Sequence, residues 1–351
     1  MSAVRQEPRT PTRGEVMKRE DAASARVDLL TLPFDQYQRY RVVATVADSV
    51  RLYLDQPQLR VLDVGGLHRT RDGRPLLPAA HVLPSDFTVA TDLGVGVPPS
   101  YVRASGASLP FRSEVFDLVV TCDTLEHIPA ASRAAFVDEL LRVTTPCVLL
   151  IAPFDSEPTQ RAERILREHL ATRGCAHEPL EEHFEHGLPS AGTLRAQLSA
   201  TGLSFIEFAD GYLPHWLPMM AMQLSPRVTP AFLAELNRFY NRHFSPTDRR
   251  EPAYRRAFVI AKPGHEDLLP AISSAVEPGP ATSKLHADIA DDLDCLLKHS
   301  QRDAQARLAF LEAENDRLMQ ALRGYEQGRF IRLMRWLHQW RERVTGSSSE
   351  G

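Results

Sequence analysis

The sequence is poor in the features that would set it apart from ordinary globular chains. Its 351 residues hold four cysteines, Cys122, Cys147, Cys175 and Cys295, with no CxxC spacing among them. A disulfide framework and a cysteine zinc site are thereby excluded as organising principles, and reduced thiols are expected. No run approaches the roughly 18 apolar residues that span a bilayer. The opening MSAVRQEPRTPTRGEVMKRE lacks the apolar core of a signal peptide. Charge of either sign is not in large excess: 41 Lys and Arg stand against 45 Asp and Glu, a net of −4, so the broad positive field of a nucleic-acid binder is missing. These absences predict a cytoplasmic protein, peripheral to a membrane at most.

What is present is enough for a core. Apolar residues make up 43% and charged residues 25%, which suits one large α/β domain with appendages. Residues 1–26 are polar and aperiodic and read as a disordered tail. From Pro33 to Leu54 the pattern becomes helical, with Tyr40, Val43, Ala44, Val46 and Ala47 recurring at steps of three and four. Four short apolar runs then read as buried strands: LRVLDVGG (59–66), FTVATD (87–92), FDLVVTCD (116–123) and TPCVLLIAPF (145–154). A helix at 131–143 separates the third from the fourth. Further helix precedes a strand at 203–210, a helical insertion (211–250) follows, and a last strand lies near 255–263. Strands alternating with helices predict a parallel, doubly wound sheet within a domain at 27–263. Residues 264–284 are rich in Pro, Ser, Ala and Gly and read as a linker.

In an open α/β sheet, ligands bind outside the carboxyl ends of the strands. The first strand ends in Asp63-Val64-Gly65-Gly66, the second in Asp92, and the third in Asp123 with Glu126 and His127 just beyond. Glycines after the first strand let backbone approach a ligand, and an acid after the second can accept both hydroxyls of a ribose. That is the anatomy of a nucleoside-containing cofactor. A nicotinamide domain would want GxGxxG after the first strand, and GGLHRT does not supply it.

The ordered set Leu109-Pro110-Phe111, Phe116-Asp117, Leu125-Glu126-His127, Glu139-Leu140, Arg142-Val143 and Pro146 resembles the class I S-adenosylmethionine (SAM) methyltransferases of the small-molecule branch, over about residues 57–155. The resemblance implies a Rossmann-like sheet with helices on both faces and SAM as cofactor. Asp63, Gly65 and Gly66 would lie under its methionine and ribose parts. Asp92 would hold the ribose, the residues leading to Leu109 would border adenine, and the backbone at Cys122 would meet the methionine amino group. Leu67 stands where the pattern has its second glycine, three prolines interrupt the stretch before Asp92, and the acid often found before LPF is absent.

Methyl transfer from a sulfonium requires a positioned nucleophile, and a hydroxyl acceptor adds the need for a base. His127 is one candidate. HEPLEEHFEHGLP (177–189) supplies His183 and His186, with Glu182 placed to share a helical face with His186. That segment reads equally as a solvated acidic face, and without HExxH or a cysteine partner no metal is expected. An EH…GLP segment here also looks like methyltransferases associated with bacterial glycan synthesis. Tyr37, Arg39 and Tyr40 could face the cofactor or simply pack, and Trp216, Met219, Met220 and Met222 read as core rather than as an acceptor pocket.

Beyond the linker, Leu308, Leu311, Asn315, Leu318, Leu322 and Tyr325 form a heptad seam with Asn315 at an a position, which predicts a homodimeric coiled coil over 285–326. Residues 327–345 alternate arginines with Phe330, Ile331, Leu333, Met334, Trp336, Leu337 and Trp340. This basic amphipathic helix suits a membrane surface or a partner groove. The expected function is methyl transfer to a hydroxyl of a small molecule or glycan. The alternative of another class is a degenerate fold that presents its coiled coil to a biosynthetic complex.

Overall fold

The computed structural model describes residues 29–69, 75–76, 78–79, 87–91, 101–277, 285–326, 334 and 336–339. The chain divides into two compact units, Met1–Asp292 and Leu293–Gly351.

The first unit is built on a seven-stranded sheet. Its strands are β1 (Val61–Val64), β4 (Phe87–Thr91), β5 (Tyr101–Arg103), β6 (Phe116–Cys122), β7 (Thr144–Pro153), β8 (Ser204–Tyr212) and β9 (Ala253–Ala261), in the spatial order β5-β4-β1-β6-β7-β9-β8. Neighbours from β5 through β7 run parallel, and β9 lies antiparallel between β7 and β8. The order reverses beside β1, the switch point at which open α/β sheets bind ligands. Among the described residues after β1 there is a two-stranded hairpin, β2 (His68–Arg69) with β3 (Pro75–Leu76).

Alternation along the strands feeds two cores. Val61, Leu118, Val120, Cys147, Leu149, Ile151 and Val259 face α1 (Phe34–Leu54), whose Val43, Val46 and Val50 are fully buried. Leu62, Val64, Val119, Val148, Leu150 and Ile260 face α2 (Arg133–Val143), with Phe136 and Leu140 at its centre. Helices thus cover both faces, as the buried parallel strands require.

Two helices beyond β7 belong to the site. In α3 (Glu157–Ala171) the Ser156 hydroxyl accepts from the Thr159 N–H, a side-chain N-cap; α4 (Glu178–His186) ends at Gly187, whose φ of +67° few other residues adopt. After α5 (Ala191–Ala200) and β8 comes the insertion, α6 (Leu213–Gln223) and α7 (Pro230–His243), which closes a third cluster with α3 and α4. Trp216 stacks on Tyr254 at 3.5 Å between ring centroids, and Trp216 and Met219 are core, as expected.

The linker expected at 264–284 contains a helix, α8 (Leu268–Val276), whose Leu268 and Ile272 are fully buried in the core beneath α1. Its small and polar residues masked four apolar positions at helical spacing, Leu268, Leu269, Ile272 and Val276. The long α9 (Leu285–Glu326) spans the residues of the predicted coiled coil, and Leu308, Leu311 and Leu318 on it are exposed. Residues 1–26, Asp92 and most of the basic segment at 327–345 lie outside the described residues. Among the described residues no helix is long and apolar enough to cross a membrane.

Candidate active site

The carboxyl ends of β1 and β6 bring Asp63, Gly65, Gly66, Cys122 and Asp123 together beside the switch point. Gly65 has φ +85°, and a Cβ there would come within 2.2 Å of the Thr124 hydroxyl in the loop after β6. A Cβ on Gly66 would meet the Asp63 carboxylate at 2.1 Å. Both glycines are therefore fixed by close approach. Asp63 is fully buried and accepts from the Tyr40 hydroxyl at 2.7 Å, while its Oδ1 has no partner. Burial pushes its carboxyl up to about 7 against the opposing Tyr40 hydrogen bond and Arg39. Tyr40 and Arg39 thus reach this ledge from α1, whereas Tyr37 meets Arg41.

Cys122 buries its thiol in the core, and its carbonyl accepts from Thr124 at 3.3 Å. Leu109 is also core, and its N–H is given to Glu139 at 2.8 Å. Arg142 pairs with Glu139 and donates to the carbonyls of Leu109 and Phe111. The EL.RV motif therefore pins the LPF loop from below. Leu109, expected with the residues before it at the cofactor's adenine edge, is held in the core by these contacts. Gly106 packs flat on Phe136, whose ring a Cβ would strike at 2.4 Å.

Beyond the ledge lies a buried ion cluster. Arg255, at the start of β9, clamps both oxygens of Asp123 at 2.7–2.9 Å, and Arg39 reaches Asp123 Oδ2 at 2.5 Å. Burial works to raise the Asp123 carboxyl, but the two guanidiniums outweigh it and hold it at about 2. Asp123 also adopts φ +47°, which turns the chain toward Glu126 and His127.

There the histidines meet. His127 Nδ1 lies 2.6 Å from Glu182 Oε2, and His183 Nδ1 lies 2.8 Å from Glu163 Oε1, which also accepts from the Tyr254 hydroxyl. The two imidazoles stand 4.8 Å apart between centroids. Burial and the neighbouring His183 lower the pKa of His127 against the opposing Glu182 carboxylate. Glu126 is 1% exposed and neither of its oxygens has a partner; burial and the nearby Asp123 raise its carboxyl well above the usual range. Glu182 and His186 lie four residues apart on α4, as expected, and the Glu182 carboxylate meets His127. His186 contributes its carbonyl, to Arg133, which also donates to the carbonyls of Gly187, Ile128 and Glu126 and so staples α4 to the turn after β6.

Sequence reasoning missed Arg255, Glu163 and Tyr254. The available signal was a pair of arginines, Arg255-Arg256, opening an otherwise apolar strand, where alternation sends one of them inward.

An open, mainly parallel sheet with paired loops at its switch point is a nucleotide-cofactor fold of the Rossmann-like class. Residues 83–152 match the family model for a methyltransferase domain. An uncharacterized methyltransferase from Mycobacterium marinum is 34% identical over 71 residues, 20% of this chain; the chain spans only 27% of that protein's length. Among solved structures, a plantazolicin methyltransferase in complex with S-adenosylhomocysteine (SAH) aligns with 72% of this chain and 91% of its own, at 9% identity and a TM-score of 0.40. Magnesium protoporphyrin IX methyltransferase from Synechocystis, also with SAH, aligns with 71% and 99%, at 12% identity and a TM-score of 0.37. Residues 83–152 are thus similar to a methyltransferase domain, and SAM is the cofactor of the class I methyltransferases that the sequence pattern resembles.

Proposed function

We propose that the protein transfers a methyl group from SAM to a hydroxyl of a small molecule or glycan. The observation that carries this reading is the ledge at the switch point, where unpaired buried groups wait for a ligand. Asp63 Oδ1, His68 Nε2 and Arg255 Nη1 are all buried without a partner. An unpaired carboxylate oxygen and guanidinium nitrogen suit an ammonium and a carboxylate, the two charges of the methionine end of SAM. Gly65 and Gly66, the backbone at Cys122, and Asp92 are the remaining groups assigned to the cofactor.

When bound, SAM supplies an activated methyl on a sulfonium. The protein's own task is to hold the acceptor oxygen in line, keep water out and help the hydroxyl lose its proton. Glu126, His127 and His183 stand past the end of β6 and are assigned to the acceptor side. The test is SAH formation from methyl-labelled SAM across a panel of sugars, glycolipids and phenols. Turnover with a hydroxyl acceptor that falls in His127→Ala supports the reading. SAH binding without turnover on any acceptor would favour the scaffold.

The second unit is assigned to dimerisation through the seam of Leu308, Leu311, Asn315 and Leu318, all on α9. The basic segment that follows is assigned to an anionic membrane surface or a partner protein.

A further inference from the structure

We infer that Glu126, His127 and His183 form a binding site for a divalent transition-metal ion. Each imidazole has its Nδ1 against a carboxylate, Glu182 for His127 and Glu163 for His183. A carboxylate only accepts, so Nδ1 carries the proton of each neutral imidazole and its Nε2 presents a lone pair. Metal-bound histidines are oriented in this way by carboxylates behind them. His183 Nε2 and both Glu126 oxygens are buried and have no hydrogen-bond partner. Such groups are costly to leave unmade and call for a ligand.

The three residues also converge. One ligand atom from each lies within 4.8 Å of the others, and His127 Nε2 stands 4.0 Å from Glu126 Oε1. Metal–nitrogen and metal–oxygen bonds of about 2.0–2.2 Å bring ligand atoms to about 3–4 Å from one another, which modest side-chain rotation supplies here. Two imidazoles and one carboxylate suit zinc, cobalt, manganese or ferrous ion rather than magnesium or calcium. Three protein ligands leave coordination positions open, and His127 is the partly exposed member through which an incoming oxygen reaches them.

The role of the ion rests on the methyl-transfer reading; its binding does not. An acceptor hydroxyl bound to the ion loses its proton to water more readily. The oxygen then attacks the methyl carbon, the carbon–sulfur bond breaks, and sulfur keeps the electron pair as the neutral thioether of SAH. Hydroxyl acceptor and SAM thus become methyl ether, SAH and one proton. His127 and His183 serve in this account as ligands, with Glu163 and Glu182 as positioning residues.

The experiment is a titration of the full, chelator-stripped protein with cobalt(II), read by visible ligand-field absorption and calorimetry, with zinc displacement as a second reading. One ion per chain with an intense visible band is expected. His127→Ala and Glu126→Gln should each weaken binding by at least about tenfold, and Glu163→Gln by about 10–100-fold through loss of orientation. His169→Ala, on α3 and outside the cluster, should bind as wild type does. Circular dichroism melts identify any variant that fails to fold, and the partly exposed His127 gives the mildest variant. Equal binding by wild type and a His127→Ala/His183→Ala variant would overturn the site, as would wild type that binds nothing. Site binding together with methyl transfer indifferent to chelator would overturn the role at the acceptor, and a missing SAH titration would separately remove the methyltransferase reading.

Discussion

Two neighbouring clusters past the end of β6 handle buried charge in opposite ways. Around Asp123 the carboxylate is matched by two guanidiniums, and four contacts of 2.5–2.9 Å join them. Around Glu126, three residues away, the carboxyl is unpaired, and the adjacent imidazoles turn their hydrogen-bonded nitrogens outward to Glu163 and Glu182. The first arrangement balances its charges within the protein, leaving only Arg255 Nη1 open toward the ledge, and holds α1, β6 and β9 in register. The second is incomplete without a ligand. The difference separates residues that build the cleft from residues that work in it.

The largest expected effect comes from breaking the charge-balanced cluster. Arg255→Met leaves Asp123 with Arg39 alone and should cost about 3–5 kcal/mol, as for other buried pairs that lose one partner; urea unfolding reads it directly. Acidity should then distinguish Asp63 from Asp123. Asp63 has a folded value of about 7 against an unfolded one of about 4. Its contribution to stability is therefore full below about pH 4 and is lost as pH rises to about 7, at up to about 1.4 kcal/mol per pH unit. Asp123, at about 2, behaves oppositely, contributing fully above about pH 4 and losing that as pH falls toward 2. Unfolding midpoints of Asp63→Asn across this range should show the first slope removed and the second retained.

A smaller effect is expected where no partner exists to lose. Glu126→Gln replaces a carboxyl that burial already pushes toward its neutral form, so stability of the metal-free protein should stay within about 1 kcal/mol of wild type. A loss as large as that of Arg255→Met would show Glu126 to be a structural residue and would erase the contrast. The smallest effect on the first unit belongs to α9. If α9 dimerises as proposed, Leu311→Asp with Leu318→Asp should lower the sedimentation coefficient from dimer to monomer while leaving the melting of the first unit unchanged. An unaltered sedimentation coefficient would remove the coiled-coil seam from the account.

The strands were legible because burial on both faces writes them as continuous apolar runs, and the ledge was legible because its residues end those runs. Asp63, Gly65, Gly66 and His127 fall where that logic puts them. The partners were not legible. His183 meets Glu163 across 20 residues and Asp123 meets Arg255 across 132, separations that local periodicity does not register. Nor was the anchoring of the LPF loop by Glu139 and Arg142 legible, since it joins residues some 30 positions apart. Helix α8 was hidden by composition, its apolar positions being diluted with serine, alanine and proline.

The ledge at the ends of β1 and β6 is assigned to SAM, with Asp92 as the proposed ribose ligand. Calorimetric titration of the full protein with SAH, beside Asp92→Ala, tests this assignment most directly. Saturable binding at one site per chain, lost in the variant, is expected. No binding by the wild-type protein would contradict it.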